Sequence, residues 1–242
     1  MTEGNRLNQY QQPIGAALPD WRPRPPVQKV TLAGRFCRLE PLSMAHGPAL
    51  FVAWHRIDDG RDWTYFSHSR PETRQQCDAL IAANAASQDP LHFAVIDLAT
   101  DRAVGSVALM RVDVGNGVLE IGWVNWSPLM KRSSLGTEAI FLLLGYTFNT
   151  LGYRRCEWKC HSLNLASNQA ATRLGFQFEG TFRQALVVKG HNRDTCWYSI
   201  IDSEWPAIAQ GLGGWLAPEN FDRQGQQRKP LAAFRPGSPT QP

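Results

Sequence analysis

Hydrophobic positions along the chain switch between a period of two and a period near 3.6, and the switches mark its elements. Val30–Leu39 reads as a strand pair turned at Ala33-Gly34. From Ser43, a candidate N-cap, Leu50, Phe51 and Trp54 share one helical face to about Ile57, where Asp58-Asp59-Gly60 breaks the pattern. A second helix is predicted from Pro71-Glu72 to just before Asp89-Pro90, with Leu80 and Ile81 inward. Leu91–Leu98 and Val104–Val114 are β-rich runs, and Asn116-Gly117 is a strong hairpin signal leading into Val118–Val124. A polar loop, Asn125–Ser134, then gives way to a helix from about Leu135 to Asn149, with Ile140, Leu143, Leu144 and Phe148 on one stripe and Gly152 beyond its end. Tyr153–His161 alternates as a strand, Asn164–Leu174 is a short helix ended by Gly175, and Phe178–Val188 pairs with Thr195–Ile201 around Lys189-Gly190-His191-Asn192. The sum is a mixed α/β domain. It has too many strands for a helical bundle and lacks the repeated βαβ of a doubly wound sheet.

The ends differ from the middle. Residues 1–28 are rich in Gln, Pro and Arg, with Pro23, Pro25 and Pro26 close together, and are expected to be an extended or disordered arm. Residues 218–242 show no periodicity and are expected to be a disordered tail, leaving 29–217 as one domain. The 242 residues are 43% hydrophobic and 19% charged, which suits a globular chain. A net charge of +4 without any run of five cations argues against a nucleic-acid partner. The longest apolar run, Ala139–Leu144, is far short of the ~20 residues that span a bilayer, and the first 30 residues lack a signal-peptide core. Five scattered cysteines without C-x-x-C read as buried thiols of a cytoplasmic protein. The six histidines show no H-x-x-x-H spacing, so no metal site is inferred.

The candidate chemistry centres on the loop Lys131-Arg132-Ser133-Ser134-Leu135-Gly136-Thr137, which follows a strand and opens a helix. Free N–H groups and the dipole at a helix start attract phosphate oxygens. The loop is neither Walker A nor G-x-G-x-x-G, so by itself it is equally a cationic turn in front of a core helix. Taken with Leu119-Glu120-Ile121-Gly122-Trp123, Thr137-Glu138-Ala139 and the run Asn164-x-x-Ser167-Asn168-x-x-Ala171-x-x-Leu174-Gly175-Phe176-x-x-Glu179-Gly180, it resembles the GCN5-related N-acetyltransferases (GNAT), most closely the RimJ/RimL branch, over about Val30 to Trp205. The resemblance implies a mostly antiparallel twisted sheet, flanked by about four helices and splayed around an acyl-CoA cleft. In the family loop pattern Lys131 and Gly136 fall on the first and last marked positions, whereas Ser134 replaces the middle glycine.

The resemblance further implies acetyl-CoA as co-substrate and a primary amine, on a protein N-terminus or a small molecule, as acceptor. Its phosphates would lie on Lys131, Arg132, Ser133, Ser134, Leu135, Gly136 and Thr137, and its thioester oxygen near the backbone of Val124 or Asn125. Asn164 would hold the pantetheine arm and Ser167 would protonate the departing thiolate. The tyrosine that many relatives use for that step is Ala171 in this chain. Asn164 is also a candidate helix cap, and Ser167 a candidate surface residue. Glu120 is the candidate base, since a carboxylate among Val118, Leu119 and Ile121 is expected to have a raised pKa. Glu138 is read as a first-turn carboxylate favoured by the helix dipole. Trp63, Thr64 and Tyr65 are candidate acceptor contacts, and the apolar final hairpin would suit a homodimer. The rival function is a catalytically silent acyl-CoA-binding or regulatory module of the same fold.

Overall fold

The computed structural model describes residues 6–131 and 133–235. An eight-stranded sheet runs in the order β3 (Leu32–Ala33), β4 (Cys37–Pro41), β5 (Leu91–Asp97), β6 (Arg102–Asp113), β7 (Val118–Trp126), β8 (Arg155–His161), β10 (His191–Ile201), β9 (Gln177–Val188). All neighbours are antiparallel except β7 and β8, which are joined by the crossover helix α3 (Ser134–Gly145). Parallel neighbours need such a crossover, and α3 supplies it for this pair.

Helices α1 (Gly47–Trp54) and α2 (Arg74–Ala86) cover one face of β5 and β6, where Leu50, Trp54, Trp63, Ile81 and Ala94 form the smaller core cluster. Thr73 and Gln76 close a reciprocal capping box at the start of α2. The other face carries the main core, with Leu119, Ile121, Ile140, Leu143, Cys156 and Trp158 under α3, α4 (Leu165–Leu174) and α5 (Trp205–Leu216). All five cysteines are buried and free. Among the described residues no helix is long and apolar enough to cross a membrane.

Helix α5 is not predicted from the sequence: Trp205, Ile208, Leu212, Trp215 and Leu216 do recur at helical spacing, but Gly211, Gly213 and Gly214 lower its helix propensity. Two of those glycines explain a correction to the expected disordered tail. A Cβ on Gly211 would sit 2.8 Å from the Phe234 carbonyl oxygen, and one on Gly214 would meet the Phe234 ring at 3.0 Å. The segment 218–235 therefore packs directly on α5. It includes the 3-10 turns Pro218–Asn220 and Leu231–Phe234, buries Leu231 in the main core, and has Asn220 bonding the Trp215 carbonyl and the backbone of Lys229. At the other end, β1 (Arg6–Leu7) and β2 (Pro13–Ile14) form a small ladder. Residues 15–28 run extended to the body, where Trp21 donates to the Gly115 carbonyl at 2.8 Å and Tyr153 to the Pro25 carbonyl at 3.0 Å.

Candidate active site

The sheet opens where its parallel pair ends. β7 and β8 are in register over three positions only, the last being Glu120 opposite Glu157. Beyond them β7 follows β6 through a register shift that places Trp123 at φ +50°, while β8 follows β10 as far as Thr195 opposite His161. The two strands part and leave a fork with Glu120 and Glu157 at its base.

Leu119 and Ile121 face the main core, so the period of two turns Glu120 to the opposite face. Glu120 is only 5% exposed, and a Cβ on Gly122 would lie 3.3 Å from its Oε1, so the carboxylate lies along β7 toward the fork. Lys159 Nζ at 2.9 Å and Arg111 Nε at 3.1 Å flank Oε2, yet no hydrogen bond is properly aligned on that oxygen. Burial pushes the Glu120 pKa up, and the two cations moderate the rise without cancelling it. A buried carboxylate with a raised pKa is suited to taking a proton. Lys159, 7% exposed, also pairs with Glu157 at 2.7 Å and lies 3.9 Å from the centre of the Trp197 ring. None of Lys159, Glu157, Arg111 or Trp197 was picked out from the sequence. Their signal was the alternation Arg155, Glu157, Lys159, His161 against the buried Cys156, Trp158, Cys160, which places a row of ionisable groups on the face of Glu120.

The loop before α3 is held by its own backbone, with Met130 N–H on the Ser127 carbonyl and Ser133 N–H on the Met130 carbonyl. Ser133, the residue before α3, turns its hydroxyl to the Met130 carbonyl at 2.8 Å instead of capping the helix. The N-terminus of α3 thus has no side-chain cap, a donor set that fits a phosphate. Ser134 lies in the first turn of α3 and is not among the residues with positive φ, so the loss of the family glycine imposes no strain. Gly136 serves packing: a Cβ there would stand 3.1 Å from Trp126 Nε1. Thr137 is buried and accepts from Arg173 of α4 at 2.9 Å. Lys131 is ion-paired with Asp62, and Arg132 lies outside the described residues. Val124 and Asn125 continue β7 along the fork, with Asn125 opposite Ser106. Glu138 is a fastening instead of a dipole partner, since its carboxylate accepts the N–H groups of Arg35, Phe36 and Cys37 at 2.7–2.8 Å and ties α3 to the β3–β4 turn.

On the β8 side Asn164 caps α4, its Oδ1 accepting from Ser167 N–H at 3.2 Å. Ser167 Oγ accepts the Trp158 indole N–H at 3.0 Å, leaving its own proton to donate. Its neighbour Asn168 is saturated by Tyr198, Cys160 and three carbonyls. On the acceptor side Trp63 is buried edge-on against Trp54, Thr64 is exposed and bonds the Arg61 carbonyl, and Tyr65 donates to the Leu163 carbonyl at 2.9 Å. Lys189, at the tip of the β9–β10 hairpin, reaches the Trp63 carbonyl at 2.8 Å. Segment 61–66 is therefore pinned to the loop before α3, to the turn after β8 and to the final hairpin. Trp123 gathers Phe66, His68 and His92 around it at 5.4–6.1 Å. Burial lowers His92 to about 4, so it stays neutral near neutral pH.

Residues 37–177, more than half of the chain, match the acetyltransferase (GNAT) domain family. A GCN5-related N-acetyltransferase from Brucella melitensis is 50% identical with a TM-score of 0.88, covering 90% of this chain and 99% of that one. The uncharacterized N-acetyltransferase p20 of Bacillus licheniformis is 29% identical over 117 residues, 47% of this chain and 63% of its own length, so the match spans just under two thirds of that relative. The ribosomal-protein-serine acetyltransferase of Escherichia coli K12 is 25% identical over 150 residues, 61% of this chain and 81% of its own. The forked sheet, its single parallel pair and these matches agree, and the chain belongs to the GNAT acetyltransferase family.

Proposed function

We propose that this chain is an acetyl-CoA-dependent N-acetyltransferase that transfers the acetyl group to a primary amine by direct attack in a ternary complex. The observation that carries it is the buried carboxylate of Glu120, its pKa raised by burial, at the base of the β7–β8 fork. Glu120, or a water it holds, takes a proton from the acceptor ammonium. The freed amine nitrogen forms the new C–N bond at the thioester carbonyl while the C–S bond breaks. Ser167 gives its proton to the departing sulfur and is reprotonated by the second proton that the nitrogen sheds as the amide forms, and the backbone N–H of Val124 or Asn125 serves the carbonyl oxygen. Asn164 positions the pantetheine arm. The uncapped start of α3 from Ser133 to Thr137, with Lys131 and Arg132, holds the phosphates, and Trp63, Thr64 and Tyr65 border the acceptor.

The likeness to the ribosomal-protein-serine acetyltransferase supports the RimJ/RimL branch, a cytoplasmic setting and a protein N-terminus or comparable small amine as acceptor. Edge strand β9, with Phe178, Phe182, Leu186 and Val187 exposed, supports a homodimer. Glu120→Gln tests the mechanism. Its kcat/KM should fall by about 10²–10⁴-fold with the loss of the acid limb of the pH profile, while acetyl-CoA affinity stays unchanged. An unaltered pH–rate profile would overturn the assignment. Tight acetyl-CoA binding without thiol release across a broad amine panel would mark the silent module instead.

A further inference from the structure

Among the described residues, the strand face that carries Glu120 holds an arginine with no carboxylate partner. On β10, Thr195 lies opposite His161 and Trp197 opposite Lys159, and the Lys159 ammonium rests on the Trp197 ring, so this side of β10 shares the face of Glu120. Arg193 belongs to the same side, because its Nε donates to Thr195 Oγ1 at 3.3 Å. That is its only side-chain hydrogen bond, and both Nη groups are unbonded among the described residues. Among the described residues the neighbouring cations of this strand face have a carboxylate: Arg111 and Lys159 have Glu120, Lys159 shares Glu157, and Arg155 pairs with Glu157 and Glu179, while Lys189 at the hairpin tip is held by the Trp63 carbonyl. Arg193 has none, although it is half-buried and lies within electrostatic range of Glu120 and Arg111. Arg111, Lys159 and Arg193 against Glu120 and Glu157 leave 3 − 2 = +1 beside the candidate base. A desolvated guanidinium with an open two-nitrogen edge is costly unless something planar and anionic meets it, and carboxylates and phosphates fit that edge.

We propose that Arg193 is the acceptor-anchoring residue, and that the acceptor carries a carboxylate or phosphate close to its reactive amine. Arg193 takes the anionic group in its free edge, and the amine of the same small unit then faces Glu120. An N-terminal acidic residue and an aminoalkyl phosphate both have this chemistry. The inference rests on the acetyltransferase reading above, and direct binding separates the two.

The test measures Kd by calorimetry on enzyme saturated with CoA, so that no turnover intervenes. It uses matched pairs: a peptide with N-terminal Glu against one with N-terminal Gln, and phosphoethanolamine against ethanolamine. Wild type should bind the anionic member of at least one pair tenfold or more tightly, and the pair that shows it identifies carboxylate or phosphate. Arg193→Gln should abolish the preference, Arg193→Lys should keep part of it, and Arg193→Glu should disfavour the anionic member, each with CoA affinity unchanged. Absence of a preference in wild type, or a preference that survives Arg193→Gln, would overturn the proposal. Should the anionic acceptors bind through Arg193 yet release no thiol from acetyl-CoA, the proposal stands and the transfer reading falls.

Discussion

Lys159→Met removes from the base of the fork the ammonium that rests on the Trp197 ring and leaves an unbranched apolar side chain in its place. In the native protein this ammonium lies 2.9 Å from Glu120 and 2.7 Å from Glu157, with side-chain exposures of 7% for Lys159 and Glu120 and 13% for Glu157. At an effective dielectric of about 20, one such pair at ~3 Å is worth about 5–6 kcal/mol before desolvation. Most of that is offset when the partners leave water together, but removing Lys159 leaves two buried carboxylates with only Arg111 and Arg155 beside them, at about the 3–5 kcal/mol of a broken buried pair. The variant should lose that much stability at pH 8 by urea unfolding, equivalent to a Tm lowered by roughly 6–20 °C for a chain of this size. The loss should depend on pH in one direction. Without Lys159 the Glu120 pKa rises further above its unfolded value, and a carboxylate with a raised folded pKa contributes stability that is complete below the unfolded pKa and lost as pH climbs through the folded one. The deficit against wild type should therefore be largest at pH 8 and shrink toward pH 5. Lys159→Met combined with Glu157→Gln should recover part of it. A deficit under about 1 kcal/mol, or one equal at both pH values, would refute the account of the charge cluster.

Three further expectations can be checked separately. Glu138→Gln keeps one acceptor oxygen for three backbone N–H groups and should cost about 1.5–3 kcal/mol in urea unfolding, with acetyl-CoA affinity retained by the refolded protein. Ser167→Ala leaves the Trp158 indole without its acceptor, at about 1–3 kcal/mol, and should lower kcat by about 10²-fold with little change in KM; a fall in stability with kcat intact would leave Ser167 a structural role only. Leu231→Ala should lower stability by about 2–5 kcal/mol, and truncation after Ala217 should cost at least as much, whereas an unchanged Tm would mean that 218–235 does not support α5.

Much of the site was legible because its signals are local. Glu120 is conspicuous as an acid within an apolar strand, and the small-residue turn before α3 is a contiguous stretch. Asn164 shows how far such reading goes: its place before a helix ended by Gly175 identifies a cap, and the structure puts the cap beside Ser167. Lys159 was not legible because its partner Glu120 lies 39 residues away along the chain, and a sequence does not give the register that brings β7 and β8 to one face. Glu138 was misread for the same reason, since its three bonds are to backbone more than a hundred residues earlier.

By itself the sequence determined the mixed α/β class, the succession of most strands and helices, and the crossover helix between β7 and β8, because periodicity, caps and turns act over a few residues. Only the tertiary structure decided where β7 and β8 part, which charges meet around Glu120, and that residues 218–235 pack on α5. Those outcomes depend on burial and on register across the sheet. An ionisable group acquires its pKa, and a glycine its purpose, from atoms that the fold alone brings within a few ångströms.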